Sequence, residues 1–111
     1  MELPNKFKAH IPASKIAGYL LSETHAVGKS KARFFRSLGF NETNVRKLEH
    51  GLLNIAQAEA VEEIIKAPHG TKYVIDGSLE TPKGVMIRLR TVWIIETGED
   101  GPRFVTAYPL E

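Results

Sequence analysis

The chain has 111 residues, 42% of them hydrophobic and 25% charged, with a net charge of only +2. That length fits one domain spanning 1–111 and can bury a core without metal or disulfide staples. Cysteine is absent, which excludes a disulfide framework and a thiolate metal site and agrees with a reducing cytoplasm, while no apolar run approaches the ~20 residues of a membrane span.

Residues 1–11 read as an extended lead-in, too polar for a signal peptide, with Pro4 and Pro12 as breakers. Pro12 suits the first position of a helix, so 13–21 is predicted helical with Ile16, Tyr19 and Leu20 on its buried side. Gly18 weakens that helix by up to ~1 kcal/mol. Residues 22–28 form a loop carrying His25. A second helix is predicted over 31–38. Ser30 can cap it, because its hydroxyl can accept a backbone N–H two or three residues on. Gly39 can end it in the left-handed conformation that glycine adopts without steric cost.

On a helical wheel Lys29, Arg33 and Arg36 share one side, and Phe34, Phe35 and Leu38 the other. Lys31 departs from this division and projects among the phenylalanines. A lysine placed there either snorkels past the apolar surface or is held at the edge of a site. A third helix is predicted over 43–57, capped by Asn41 or Thr43. Val45, Leu48, Leu52 and Ile55 form its apolar stripe, and Gly51 lies inside the pattern.

The 12–57 helical part gives way to a β-meander over 60–109. Strands are predicted at 61–66, 73–78, 85–96 and 103–108, with Pro109 ending the last. Pro68-His69-Gly70, 81–84 and 98–102 are the turns between them. Helices followed by strands make an α+β fold, N-terminal helices packed on a four-stranded antiparallel sheet. In the long third strand Ile87, Leu89, Thr91, Trp93 and Ile95 point one way. Arg88, Arg90, Val92, Ile94 and Glu96 point the other.

Four cations between Lys29 and Arg36, with no acid among them, suggest a local anion site on a nearly neutral protein; a solvated helix face is the competing reading. Arg88 and Arg90 form a second cationic pair, suited to phosphate through the forked guanidinium, unless Asp76 or Glu80 neutralises them. His25 can act as acid or base near neutral pH. There is no HExxH, no GxSxG and no phosphate-binding glycine loop, so no metal and no nucleotide cofactor is expected. The remaining toolkit of His, Lys, Arg, Thr and Tyr suits metal-independent RNA cleavage. There a base deprotonates the ribose 2′-OH and cations stabilise the charge that develops on phosphorus. The same residues also suit plain anion binding.

The segments YLLSETHAVGKSKARFFRSLGF, KYVIDGSLETPKG, RTVWIIETGED and PRFVTAYP resemble a family of small uncharacterised bacterial domains. Their order is also similar to the Barnase–EndoU–colicin–RelE (BECR) superfamily of ribonuclease toxins. That resemblance implies metal-independent RNA cleavage and an immunity protein or antitoxin as partner. It implies active-site positions at His25, Lys29 or Lys31, Arg90, Thr91, Thr106 and Tyr108. Taken together with the pattern of cations, the expected catalytic residues are His25, Lys31, Arg90, Thr106 and Tyr108, and the expected phosphate-binding ones Lys29, Arg33, Arg36, Arg88 and Thr91. No glutamate in the matched blocks corresponds to barnase's general base, which leaves that role to His25. The expected function is therefore a cytoplasmic, toxin-like endoribonuclease acting on RNA. The alternative is a non-enzymatic antitoxin-like, immunity-like or partner-binding module. A homo-oligomer is compatible with either, because antiparallel sheets offer edges to another chain.

Overall fold

The computed structural model describes residues 1–22 and 29–110. The first helix, α1 (Ala13–Lys15), continues as a π-helical turn over Ile16–Leu20. The regular helix expected over 13–21 is thus replaced by a wider turn, closed by the Leu21 N–H on the Ile16 carbonyl at 2.8 Å. The change falls where Gly18, a poor helix former, interrupts the run. Ile16 and Leu20 remain buried.

Helix α2 spans Lys29–Ser37. Ser30 lies inside it and does not cap it. Its C-terminus follows the sequence expectation in detail. Gly39 has φ +99°, a conformation costly for any residue with a Cβ. The Phe40 N–H reaches the Phe35 carbonyl (3.2 Å) and the Gly39 N–H the Arg36 carbonyl (3.0 Å). This is a Schellman ending, completed by its characteristic apolar contact: the Phe35 and Phe40 rings meet edge-to-face at 6.3 Å.

Helix α3 spans Val45–Ala58. Neither Asn41 nor Thr43 caps it. The Asn41 side chain instead accepts the Thr43 N–H (2.8 Å). The Asn44 side chain accepts the Asn41 N–H (2.8 Å) and donates to the Gly39 carbonyl (2.9 Å). These side chains lock the turn between the two helices, a use that asparagine favours as much as capping.

Strands β1 (Val61–Ala67), β2 (Gly70–Glu80), β3 (Met86–Glu96) and β4 (Arg103–Pro109) form one antiparallel sheet in that order. Three helices packed on a four-stranded antiparallel sheet make an α+β fold, as expected. The alternation of β3 decides which face is covered. Leu89, Thr91 and Trp93 are fully buried. They share a core with Ile75 and Leu79 of β2, Phe104 and Ala107 of β4, and Leu48, Leu52 and Ile55 of α3. Each such aliphatic or aromatic side chain contributes roughly 1.5–3 kcal/mol of transfer free energy.

Two glycines let α3 lie close on β2. A Cβ at Gly51 would run into the Leu79 side chain, and one at Gly77 would come within 2.8 Å of Ile55. The lead-in closes the far side of the sheet. Its His10 N–H bonds the Pro102 carbonyl (2.9 Å), and the His10 carbonyl accepts the Phe104 N–H (3.0 Å). Among the described residues no helix is long and apolar enough to cross a membrane.

Candidate functional site

Because the helices cover the Leu89/Thr91/Trp93 face, Arg88 and Arg90 lie on the opposite one, where Val74 and Ile94 are buried without the helices. Register then sets their neighbours. Arg90 lies opposite Asp76 of β2 and Tyr108 of β4, and Thr106 lies opposite Val92. Arg90 donates through Nε and Nη2 to both oxygens of Asp76, at 2.8 and 2.9 Å. This two-pronged pair fixes the guanidinium plane. The hydrogen bond from Arg90 is the main cause that holds the Asp76 carboxyl below its usual range, against the opposing effect of burial. Asp76 in turn raises the Arg90 pKa further, and the Tyr108 hydroxyl, also within reach of the guanidinium, adds to that.

Lys31 comes to the same place from α2. It occupies the first helical turn beside the β4 edge, and its Nζ sits 3.5 Å from the Ala107 carbonyl. It also lies 5.2 Å from the centre of the Tyr108 ring, within cation–π range. The wheel position that set Lys31 apart from the other cations of α2 is thus the position that carries it to β4. Lys31, Arg90 and Tyr108 form one cluster, and Thr106 stands two residues along the same strand.

Tyr19 was assigned from sequence only to the buried side of its helix. Its hydroxyl lies 3.1 Å from Thr106 Oγ1, and Lys15 Nζ lies 4.9 Å from its ring. Two lysine–tyrosine contacts therefore lie at β4, Lys15 with Tyr19 in the first helical segment and Lys31 of α2 with Tyr108 of β4 itself. The i,i+4 spacing of Lys15 and Tyr19 was the available signal, but only the packing of α1 on β4 gives it a place.

The other sequence candidates separate. Lys29 and Arg33 are exposed on α2. Arg88 is exposed, with Nη1 3.5 Å from Ser78 Oγ. Arg36 donates to the Leu21 carbonyl from Nε (3.0 Å) and Nη2 (2.7 Å) and pairs with Glu42, so it ties α2 to the end of the preceding helical turn. Thr91 is wholly buried. Its hydroxyl donates to the Ile75 carbonyl (2.7 Å) and accepts the Trp93 indole N–H (2.8 Å), which makes it a core residue that no phosphate reaches. His25 lies outside the described residues, in the segment leading into α2. A separate cavity of about 150 Å³, lined by residues that include His10, Glu96 and Arg103, shares no residue with the cluster.

A family model, Domain of unknown function (DUF6883), matches residues 2–111. The chain belongs to that family. No curated protein matches the DUF6883 chain. Among solved structures, its fold is similar to a chain of the contact-dependent growth inhibition toxin–immunity protein complex from Klebsiella pneumoniae 342. The TM-score is 0.73 at 12% sequence identity, over 96% of this chain and 97% of that one. At that identity the likeness is one of fold. The family match accords with the resemblance to small uncharacterised domains; the BECR assignment is finer than these matches reach.

Proposed function

We propose that this chain is the ribonuclease component of a toxin–immunity pair, cleaving RNA without a metal ion. The observation that carries the reading is the convergence of Lys31, Arg90 and Tyr108 beside β4, on the face the helices leave uncovered. In this scheme a phosphodiester lies over the cluster. The ribose 2′-oxygen attacks phosphorus while a base, His25, takes its proton. The bond from phosphorus to the 5′-oxygen breaks, and that oxygen takes a proton from water as it leaves. The products are a 2′,3′-cyclic phosphate and a 5′-hydroxyl. Lys31 and Arg90 offset the charge that builds on the phosphoryl oxygens. Asp76 keeps Arg90 oriented, and Thr106 and Tyr108 position the phosphate. Lys29, Arg33 and Arg88 are left for flanking phosphates; Thr91 and Arg36 play no part. The fold shared with a chain of a toxin–immunity complex supports the setting.

The test is purified protein with total RNA in EDTA, followed by end-group analysis. Fragments ending in 2′,3′-cyclic phosphate are expected, abolished by His25→Ala and reduced roughly 10²-fold by Lys31→Ala, the loss typical of removing one charge-stabilising group. RNA left intact, or cleaved equally by both variants, overturns the assignment.

A second reading is an immunity-like, non-enzymatic module. The observation that favours it is that Arg36, Arg90 and Arg103 are already paired with Glu42, Asp76 and Glu96, which leaves less charge for a nucleic acid.

A further inference from the structure

The two edges of the sheet are unlike. The β4 edge is occupied by the lead-in at His10 and by Lys31 at Ala107. Along β1, the one backbone hydrogen bond outside its ladder with β2, among the described residues, joins the Val61 N–H to the Met1 carbonyl (2.7 Å). From Glu62 to Lys66 every residue is exposed, including Ile64 at 44% and Ile65 at 41%. Unpaired N–H and C=O groups on such an edge form a template for another strand.

The register of β1 says which residues offer those groups. Ala67 pairs with Gly70 across the two-residue turn Pro68-His69, so that pair must be a hydrogen-bonded one. Pairs alternate along an antiparallel ladder. Ile65, opposite Lys72, is then also bonded to β2, whereas Ile64 and Lys66 direct their backbone groups outward. Two copies of β1 running antiparallel about a two-fold axis at Ile64 would exchange those bonds. Ile64 would meet its own copy on the axis, and Lys66 of each chain would face Glu62 of the other. The strand VEEIIKA thus carries its acids on one side of the axis and its lysine on the other. The reversed copy is complementary in charge, and the exposed isoleucine is covered. Glu62 is the extra residue of the bulge between Val61 and Glu63, so the pairing of the two copies ends there.

We propose that the β1 edge is a homodimer interface in which two sheets join through Ile64 into one eight-stranded sheet. The surface is distinct from the Lys31/Arg90/Tyr108 cluster, and the inference does not depend on the ribonuclease reading.

Sedimentation velocity across a wide concentration range tests it. The wild type is expected to show a monomer–dimer equilibrium. Ile64→Lys should abolish the dimer, and Glu62→Lys should weaken it several-fold by setting lysine against lysine. The double exchange Glu62→Lys with Lys66→Glu should restore the wild-type Kd, a rescue that no folding defect imitates. Far-UV circular dichroism confirms that each variant is folded. A wild type that stays monomeric throughout, a dimer insensitive to Ile64→Lys, or a double exchange that fails to restore association overturns the proposal.

Discussion

Thr91 has no exposed surface, and both functions of its hydroxyl are used inside the core. It donates to one strand's carbonyl and accepts from the indole of Trp93, whose ring also packs edge-to-face on Phe104 with centres 5.3 Å apart. Burial of a polar group costs little when its partners are buried with it and much when one of them is removed. Thr91→Val keeps the shape and leaves the Trp93 N–H without its acceptor. It should destabilise by about 1–3 kcal/mol, read as a lower urea midpoint from the fluorescence of Trp93, the chain's single tryptophan.

Asp76 has the opposite character, a charged group held at the surface of the sheet by a two-pronged partner. Its side chain is 9% exposed, and that of Arg90 34%. Its native pKa is depressed, chiefly by the Arg90 hydrogen bond. The stability it contributes is therefore fully present above the unfolded carboxylate value of about 3.9 and is lost as pH falls through the lower native value. Asp76→Asn should lower Tm at neutral pH and flatten the acid limb of the stability profile in that window. Glu2, Glu42 and Asp100 are also held low by their lysine or arginine partners, but those pairs are exposed and add little. A Tm-against-pH series on wild type and variant checks the difference.

Among the elements, the contact of α3 with β2 depends most sharply on single residues. Gly77 interrupts a strand that would otherwise favour a branched side chain, and the reason is Ile55 above it. An added Cβ would lie 2.8 and 2.9 Å from its two γ-carbons. Ile55 is branched at Cβ, confined to few rotamers and wholly buried, so it cannot step aside. Gly77→Ala should cost about 1–3 kcal/mol by overpacking, measurable by urea unfolding. The end of α2 shows a different dependence. There the αL conformation of Gly39 and the Phe35–Phe40 contact together aim the chain into α3.

For the whole molecule, the helices cover one sheet face and flank β4, so the chemistry-bearing side chains and the open strand edge fall at different places. The proposed site at β4 and the proposed dimer edge at β1 therefore do not compete for surface. The two readings of its function predict different behaviour in a cell. A ribonuclease should arrest a bacterial host when expressed alone and be relieved by a co-expressed neighbouring protein, with His25→Ala removing the arrest. An immunity-like module should be tolerated alone. Growth curves after induction separate them.

Much of this architecture was legible in the residues themselves. Period-3.6 and period-2 hydrophobicity located three helices and four strands in order. Glycine and proline marked the turns, and the β3 alternation separated Arg88 and Arg90 from Leu89, Thr91 and Trp93. These are local properties, fixed by backbone sterics and by which side chains must leave water. The anomalous place of Lys31 on its helix was local too. What needed the tertiary structure was every relation between residues distant in the chain. Strand pairing set Arg90 against Asp76, which fixes the plane of its guanidinium, and turned Thr91 into a core residue. Packing of α1 on β4 brought Tyr19 to Thr106, and closure of the β4 edge left β1 as the open one. Periodicity tells a side chain which way to face; only register and packing decide what it meets there.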